Sequence, residues 1–263
     1  MKMASNSAWM ELYEKHLDSA SAMAIYYTED SSFVEDSIKQ ALKYLVTVFS
    51  SGAVKGDTLI QYGLNLATLF PACGCFKEII FSEFLESHIQ VVRKWVNKKP
   101  GAFDWSPSAK FVCELEGNRE TWTEKEETLR RKMTQILKCK AKEGCLVLPS
   151  LPTQVDCILV IHFLEFLSPR VDVFRKTLTN MSSQLKIGGH LLLNVLLGCT
   201  FIMIGTFKFP LLCLDKECVS QALSDAGFVI KESQNNLRAN NTQYSVIDFS
   251  STLCLVACKE RNV

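Results

Sequence analysis

The chain carries almost no charge imbalance: 29 lysines and arginines stand against 28 aspartates and glutamates, a net charge of +1. Polyphosphates bind through a concentrated positive field, so no nucleic-acid partner is expected. A hydrophobic run long enough for a bilayer is also missing. The nearest candidate, His190 to Ile204, holds Asn194, Gly198 and Thr200 and falls short of the ~20 residues a span needs. No G-x-G-x-x-G occurs, which argues against a dinucleotide oxidoreductase. Cys139 and Cys145 have no second pair at metal spacing, so zinc is not expected either.

What is present is a globular composition, 48% hydrophobic and 22% charged over 263 residues, with ample material for a large core. No repeat and no composition break marks a second domain. Eleven cysteines would suit a disulfide framework, but Cys113, Cys157, Cys199 and Cys254 lie inside apolar, strand-like runs with no secretory apolar segment before them. Buried free thiols in a reducing compartment are the expectation, and hence a cytoplasmic protein.

The organising stretch is Val54 to Glu83. Thr58 to Tyr62 is a short apolar run bounded by turn formers, as a strand is. Gly63 and Asn65 both tolerate positive φ and allow a sharp turn. Ala67 to Cys73 suits a short helix that Pro71 limits, and Lys77 to Ser82 is a second strand closed by Glu83. This is an opening β-α-β, where a ligand sits at the carboxyl ends of the strands and the acid takes ribose hydroxyls.

Around it the pattern alternates. Asp36 to Phe49 has apolar residues at 38, 41, 42, 45, 46 and 49, a helical period, and Leu85 to Val96 repeats it. The first thirty residues, with Tyr26 and Tyr27, suit a cap on the core or a lid over a pocket. Lys110 to Cys113 is expected as a third strand, and Glu124 to Leu137 as a charged, solvated helix. Val155 to Ile161 is a central-looking strand ending at His162, with Glu165 beyond. His162 could face a ligand or be a packed structural histidine. Val171 to Leu185 is a helix ended by Lys186 to Gly189, followed by a strand from His190 to Leu196. Asp215 caps a helix to Ala226. Phe228 to Glu232 and Thr252 to Cys258 have no crossover helix between them and so form an antiparallel hairpin.

Particular words add to this: AVKGDTLI (53–60), FKEIIFSE (76–83), AFDWSP (102–107), FVCELEGNR (111–119), LRRKMTQILKC (129–139) and QLKIGGHLLL (184–193). With them the chain, from about Tyr26 to Lys259, resembles the nicotinamide N-methyltransferase family, which also holds phenylethanolamine, indolethylamine and thioether methyltransferases. The resemblance implies an α/β fold, the class I S-adenosylmethionine-dependent methyltransferase (Rossmann-like) seven-stranded sheet. It has a C-terminal antiparallel hairpin and an N-terminal helical cap. A single domain is expected over 1–263, with 1–50 as cap or lid and 51–263 as core.

The resemblance also implies S-adenosyl-L-methionine as cofactor and a small-molecule amine, pyridine or thioether as methyl acceptor, with no membrane or nucleic-acid partner and a monomeric state. Carried over by position, the cofactor contacts are Tyr27, Gly63, Asn65, Glu83, His88 and Ala141. Tyr26, His162 and Asn194 fall on the acceptor side, and no residue is assigned as catalytic. The departures cluster at the cofactor. Gln61 stands for an acid, Leu64 and Leu66 bring bulk beside the one matching glycine, and His88 replaces an Asn. Lys140 stands where the family has an Asp, Ile161 for a Thr, and Val195 for the acceptor-side acid. Two readings therefore stay open: a working methyltransferase, or a family member kept as a binding module after its cofactor site decayed.

Overall fold

The computed structural model describes residues 6–17, 19–27, 37–142, 145–149, 154–238 and 246–263, and for residues 6, 7, 25–27 and 141 the backbone alone. The side chains of Tyr26, Tyr27 and Ala141 lie outside what is described.

Leu59 to Tyr62 are buried to the last residue, and a strand covered on both faces has this continuous pattern rather than an alternating one. The segment is β1 (Gly56–Tyr62), and it pairs in parallel with β2 (Phe76–Glu83) on one side and β6 (Val155–Ile161) on the other. β3 (Met133–Lys138) extends the sheet beyond β2, and β7 (Leu185–Leu197) beyond β6, both in parallel. β11 (Ser251–Lys259) runs antiparallel to β7, and β10 (Phe228–Leu237) antiparallel to β11. The resulting order β10-β11-β7-β6-β1-β2-β3 is the seven-stranded sheet with a reversed C-terminal strand that the resemblance implied.

The helices form where the apolar period placed them. α3 (Lys39–Ser50) buries Ala41, Leu42, Leu45, Val46 and Phe49, while α4 (Glu86–Val96) buries His88, Ile89, Val92 and Trp95. In α8 (Val171–Gln184) the buried Phe174, Leu178 and Met181 each contribute about 1.5–3 kcal/mol of hydrophobic stabilisation. Asp215 starts α9 (Lys216–Asp225) by accepting the Cys218 N–H at 2.7 Å. The C-terminal end of α8 is closed from another strand. Lys259, 1% exposed, donates to the carbonyls of Ser182 (2.7 Å) and Leu185 (2.9 Å), adding a charged donor where the last turn of α8 passes into β7. At the same end of the sheet Asp156 ties three strands together. Its carboxylate accepts the N–H groups of Asp57 (2.9 Å) and Thr58 (3.0 Å) and the Lys186 ammonium (2.6 Å).

Two expected elements are corrected. Lys110 to Cys113 is not a strand but part of α5 (Ser106–Leu115), started by Pro107 and burying Ala109, Val112 and Cys113 on one helical face. The charged helix does not reach Leu137. α6 (Trp122–Lys132) opens on a Thr121–Glu124 capping box and stops after Arg130, Arg131 and Lys132, and the chain enters β3 directly. Expected and observed ends also differ at β7, which begins at Leu185 instead of His190. Two hairpins were not foreseen: β4 (Lys140–Lys142) with β5 (Cys145–Val147), and β8 (Phe201–Ile204) with β9 (Phe207–Pro210). α1 (Asn6–His16) and α2 (Ser19–Tyr27) precede α3, and a single turn, α7 (Leu164–Leu167), follows β6.

All eleven cysteines are free, and Cys113, Cys157, Cys199 and Cys254 are buried as expected. No helix among the described residues is long and apolar enough to cross a membrane.

Candidate cofactor and acceptor site

The carboxyl ends of β1, β2 and β6 converge on a cavity of about 60 Å³, walled by Leu64, Ile161, Phe163 and Phe166, and by Leu17, Ala22, Ile38 and Ile204 from outside the sheet. Its polar lining is Asn65, Glu83, His88 and His162. Four residues singled out from sequence thus share one cavity, whereas Gly63 does not line it and lies under the ring of Phe163, which does.

Glu83 is 1% exposed at the end of β2. Its Oε1 accepts the N–H groups of Phe84 (2.7 Å) and Leu85 (3.1 Å), supplying the start of α4 with the acceptor that the Leu85 side chain cannot provide. Its Oε2 stands 3.5 Å from His88 Nδ1, one turn into α4. His88 is buried, and neither of its ring nitrogens makes a hydrogen bond; the same holds for Asn65 Oδ1. Buried polar atoms are nearly always satisfied, so orphans grouped around one cavity point to a polar occupant.

The β1 turn is built differently from the turn the resemblance led us to expect. Gln61 is buried, and its amide donates to the carbonyls of Gly63 (3.2 Å) and Asn65 (2.6 Å). The Thr68 hydroxyl also donates to the Asn65 carbonyl (2.7 Å). A carboxylate at position 61 could make neither amide bond, since it has no proton to give. Gly63 sits at φ +98°, and its N–H donates to the Ser82 carbonyl at 3.0 Å. A β-carbon there would lie 3.0 to 3.3 Å from three atoms of Phe163. That ring also packs beside Tyr62 and Phe84, with centroids 6.2 and 5.9 Å away. Neither Gln61's stapling role nor Phe163 was identified from sequence. The amide at 61 was a signal; the position of Phe163 had none, because it depends on two strands meeting.

His162 follows β6 with φ +48°, an uncommon backbone for a side-chain-bearing residue. Its Nε2 shares a hydrogen bond with the Ser37 hydroxyl at 3.0 Å, and its N–H donates to the Asn194 carbonyl at 3.0 Å. Burial pushes its pKa down to about 4 against the opposing pull of the Asn194 side chain, which favours a protonated ring, so the ring is neutral at pH 7. Asn194 itself does not line the cavity. It lies in β7 behind His162, 1% exposed, and its amide donates to the Cys254 sulfur at 2.8 Å. Glu165, in α7, is wholly buried and accepts the Leu196 N–H at 2.6 Å; burial raises its pKa to about 7. Val195 is buried in the sheet, so the acceptor half of the cavity receives no carboxylate from β7. Lys140 is exposed in the β4–β5 hairpin, and Ala141 pairs with Leu146. Among the described residues no group of three or more His, Cys, Asp or Glu could hold a metal.

Comparison with solved structures places this sheet among methyltransferases. A magnesium protoporphyrin IX methyltransferase from Synechocystis PCC 6803, solved with bound S-adenosylmethionine, superposes with a TM-score of 0.60 at 12% identity, covering 98% of this chain and 99% of that one. The N-methyltransferase NodS from Bradyrhizobium japonicum, in complex with S-adenosyl-l-homocysteine, does so at 0.52 and 12%, covering 92% and 98%. At such identities the likeness concerns the fold alone. Sequence relatives lie nearer. Nicotinamide N-methyltransferase of Sus scrofa is 38% identical over 253 residues, 91% of this chain and 94% of its own length. Indolethylamine N-methyltransferase of Oryctolagus cuniculus is 38% identical over 224 residues, 84% and 85% of the two chains. The model of one family matches residues 6–260 throughout, across the sheet, the turn and the cavity walls. The chain belongs to the NNMT/PNMT/TEMT family.

Proposed function

We propose that the protein is an S-adenosyl-L-methionine-dependent methyltransferase that transfers a methyl group to the nitrogen of a small molecule. The observation that carries this is the cavity at the ends of β1, β2 and β6, where Glu83, His88 and Asn65 gather in a chain that matches the family over 6–260. The orphaned His88 nitrogens and Asn65 Oδ1, together with Glu83 Oε2, suit a ribose, whose hydroxyls both donate and accept. Tyr27, Gly63 and Ala141 are further proposed contacts to the cofactor. When bound, S-adenosyl-L-methionine supplies an electrophilic methyl group on a sulfonium.

The chain's own part is alignment and exclusion of water, which in-line transfer to a lone pair chiefly requires. Glu83, held by two backbone N–H groups, cannot swing and so fixes the ribose. Ile38, Phe166 and Ile204 wall the acceptor half with apolar surface. His162 presents a neutral imidazole at its edge, Asn194 acts through His162, and Tyr26 is a further proposed acceptor contact. An uncharged pyridine, amine or thioether fits such walls better than a cation. Free thiols, six of them buried, suit a reducing, cytoplasmic setting, and a monomer is the proposed working form.

The test is turnover. Purified protein is incubated with S-adenosyl-L-methionine and a panel of pyridines, amines and thioethers, and S-adenosylhomocysteine and methylated products are followed by mass spectrometry. Stoichiometric product with any acceptor supports the reading; cofactor binding with no product from a broad panel favours the binding-module alternative.

A further inference from the structure

In open α/β sheets the acid ending the second strand takes the ribose, and whatever the ribose carries on its C5′ runs toward the glycine of the first turn. Here the two halves of that platform differ. The ribose half keeps Glu83 with the orphaned nitrogens of His88, and Asn65 Oδ1 is a free acceptor further along the turn. At Gly63 itself the turn is closed. Gly63 N–H is given to Ser82, its carbonyl is taken by Gln61, and the niche left by its missing side chain is filled by Phe163, whose ring atoms come within 3.0 and 3.2 Å of a β-carbon position.

We propose that Phe163 is a displaceable plug on the Gly63 turn, so that the site holds the nucleoside half of its cofactor and discriminates against the amino-acid half. This rests on the cofactor reading above and specifies which residue sets cofactor affinity. The Phe163 ring occupies the niche at Gly63, so it must move before a ligand tail can lie against that turn. Phe163 is the wall over the turn. It stands at the junction between the left-handed His162 and the single-turn α7, and its aromatic neighbours include Tyr62 and Phe84. A change of its χ1 rotamer opens the turn without breaking a hydrogen bond. For a zwitterionic tail, the turn as built offers at Gly63 only groups already engaged, and the ring beside them is apolar.

The test compares S-adenosylhomocysteine with 5′-methylthioadenosine, which has the same nucleoside but no amino-acid tail. Both are titrated calorimetrically into the wild-type chain, F163A and F163L, with thermal unfolding confirming that each variant is folded. Wild type is expected to bind the two within about tenfold of each other, and F163A or F163L to bind S-adenosylhomocysteine at least ~10 times more tightly with 5′-methylthioadenosine nearly unchanged. If both ligands shift together, or S-adenosylhomocysteine tightens in neither folded variant, Phe163 is not a plug. If neither compound binds any of the three proteins, the cofactor reading itself fails and the plug with it.

Discussion

Glu165 stores a pH dependence that can be worked out from its surroundings. It is wholly buried in α7, and its pKa rises from 4.5 to about 7 because burial penalises the carboxylate more than the Leu196 N–H rewards it. Between those two values the folded protein holds a proton that the unfolded chain has released. Stability therefore falls as pH rises through this window and is flat above it. The full loss is about 3 kcal/mol, and since the unfolded side chain is already mostly ionised at pH 5, about 2–3 kcal/mol of it falls between pH 5 and pH 8. Glu165→Gln keeps an oxygen for Leu196 but cannot ionise. Relative to wild type it should gain those 2–3 kcal/mol on going from pH 5 to pH 8, roughly 1 M in urea midpoint if m is about 3 kcal/mol/M. Urea unfolding followed by tryptophan fluorescence at the two pH values reads this directly. Because every other titrating group is common to both proteins, only position 165 enters the difference. A gap between variant and wild type that is the same at both pH values would falsify this reasoning.

Two further outcomes follow from the same structure. His162 titrates in the opposite sense: its pKa is pushed down to about 4 from 6.5, so wild-type stability drops as pH falls from about 6.5 toward 4. His162→Asn suits the φ of +48° and should flatten that acid limb, and superimposable limbs in acid titrations of the urea midpoint would refute it. Asp215→Ala removes the acceptor for the Cys218 N–H at the start of α9, which should cost about 1 kcal/mol and lower the melting temperature by about 2–4 °C. Calorimetry showing no change would mean that solvent replaces the cap.

Much of the fold was visible in the chain because its signals are local. The helical periods of α3, α4 and α8, the Asp215 cap and the C-terminal hairpin each depend on neighbouring residues, and each stands where the spacing put it. Lys110 to Cys113 misled because three apolar residues behind a lysine fit a strand or one turn of helix equally, and Pro107 before them was the better guide. β3 was hidden because a charged helix runs into it with no turn between; only pairing to β2, with Phe81 opposite Ile136, separates them. At the candidate site, Asn65, Glu83, His88 and His162, picked out by position, line one cavity. What could not be read was how their atoms are spent. That Gln61 staples the turn is a local contact its amide could have signalled, whereas that Phe163 covers the turn is a consequence of β1 and β6 lying side by side.

The measurement that bears most directly on the function is a calorimetric titration of S-adenosylhomocysteine into the wild-type chain and Glu83→Gln. The glutamine retains the oxygen that caps Phe84 and Leu85 while removing the charge and one acceptor, so the fold is preserved. If Glu83 holds the ribose, wild type binds at a single site and the variant binds about 10- to 100-fold more weakly, the equivalent of about 1–3 kcal/mol. No heat up to millimolar ligand, or equal affinity in the two proteins, would contradict it.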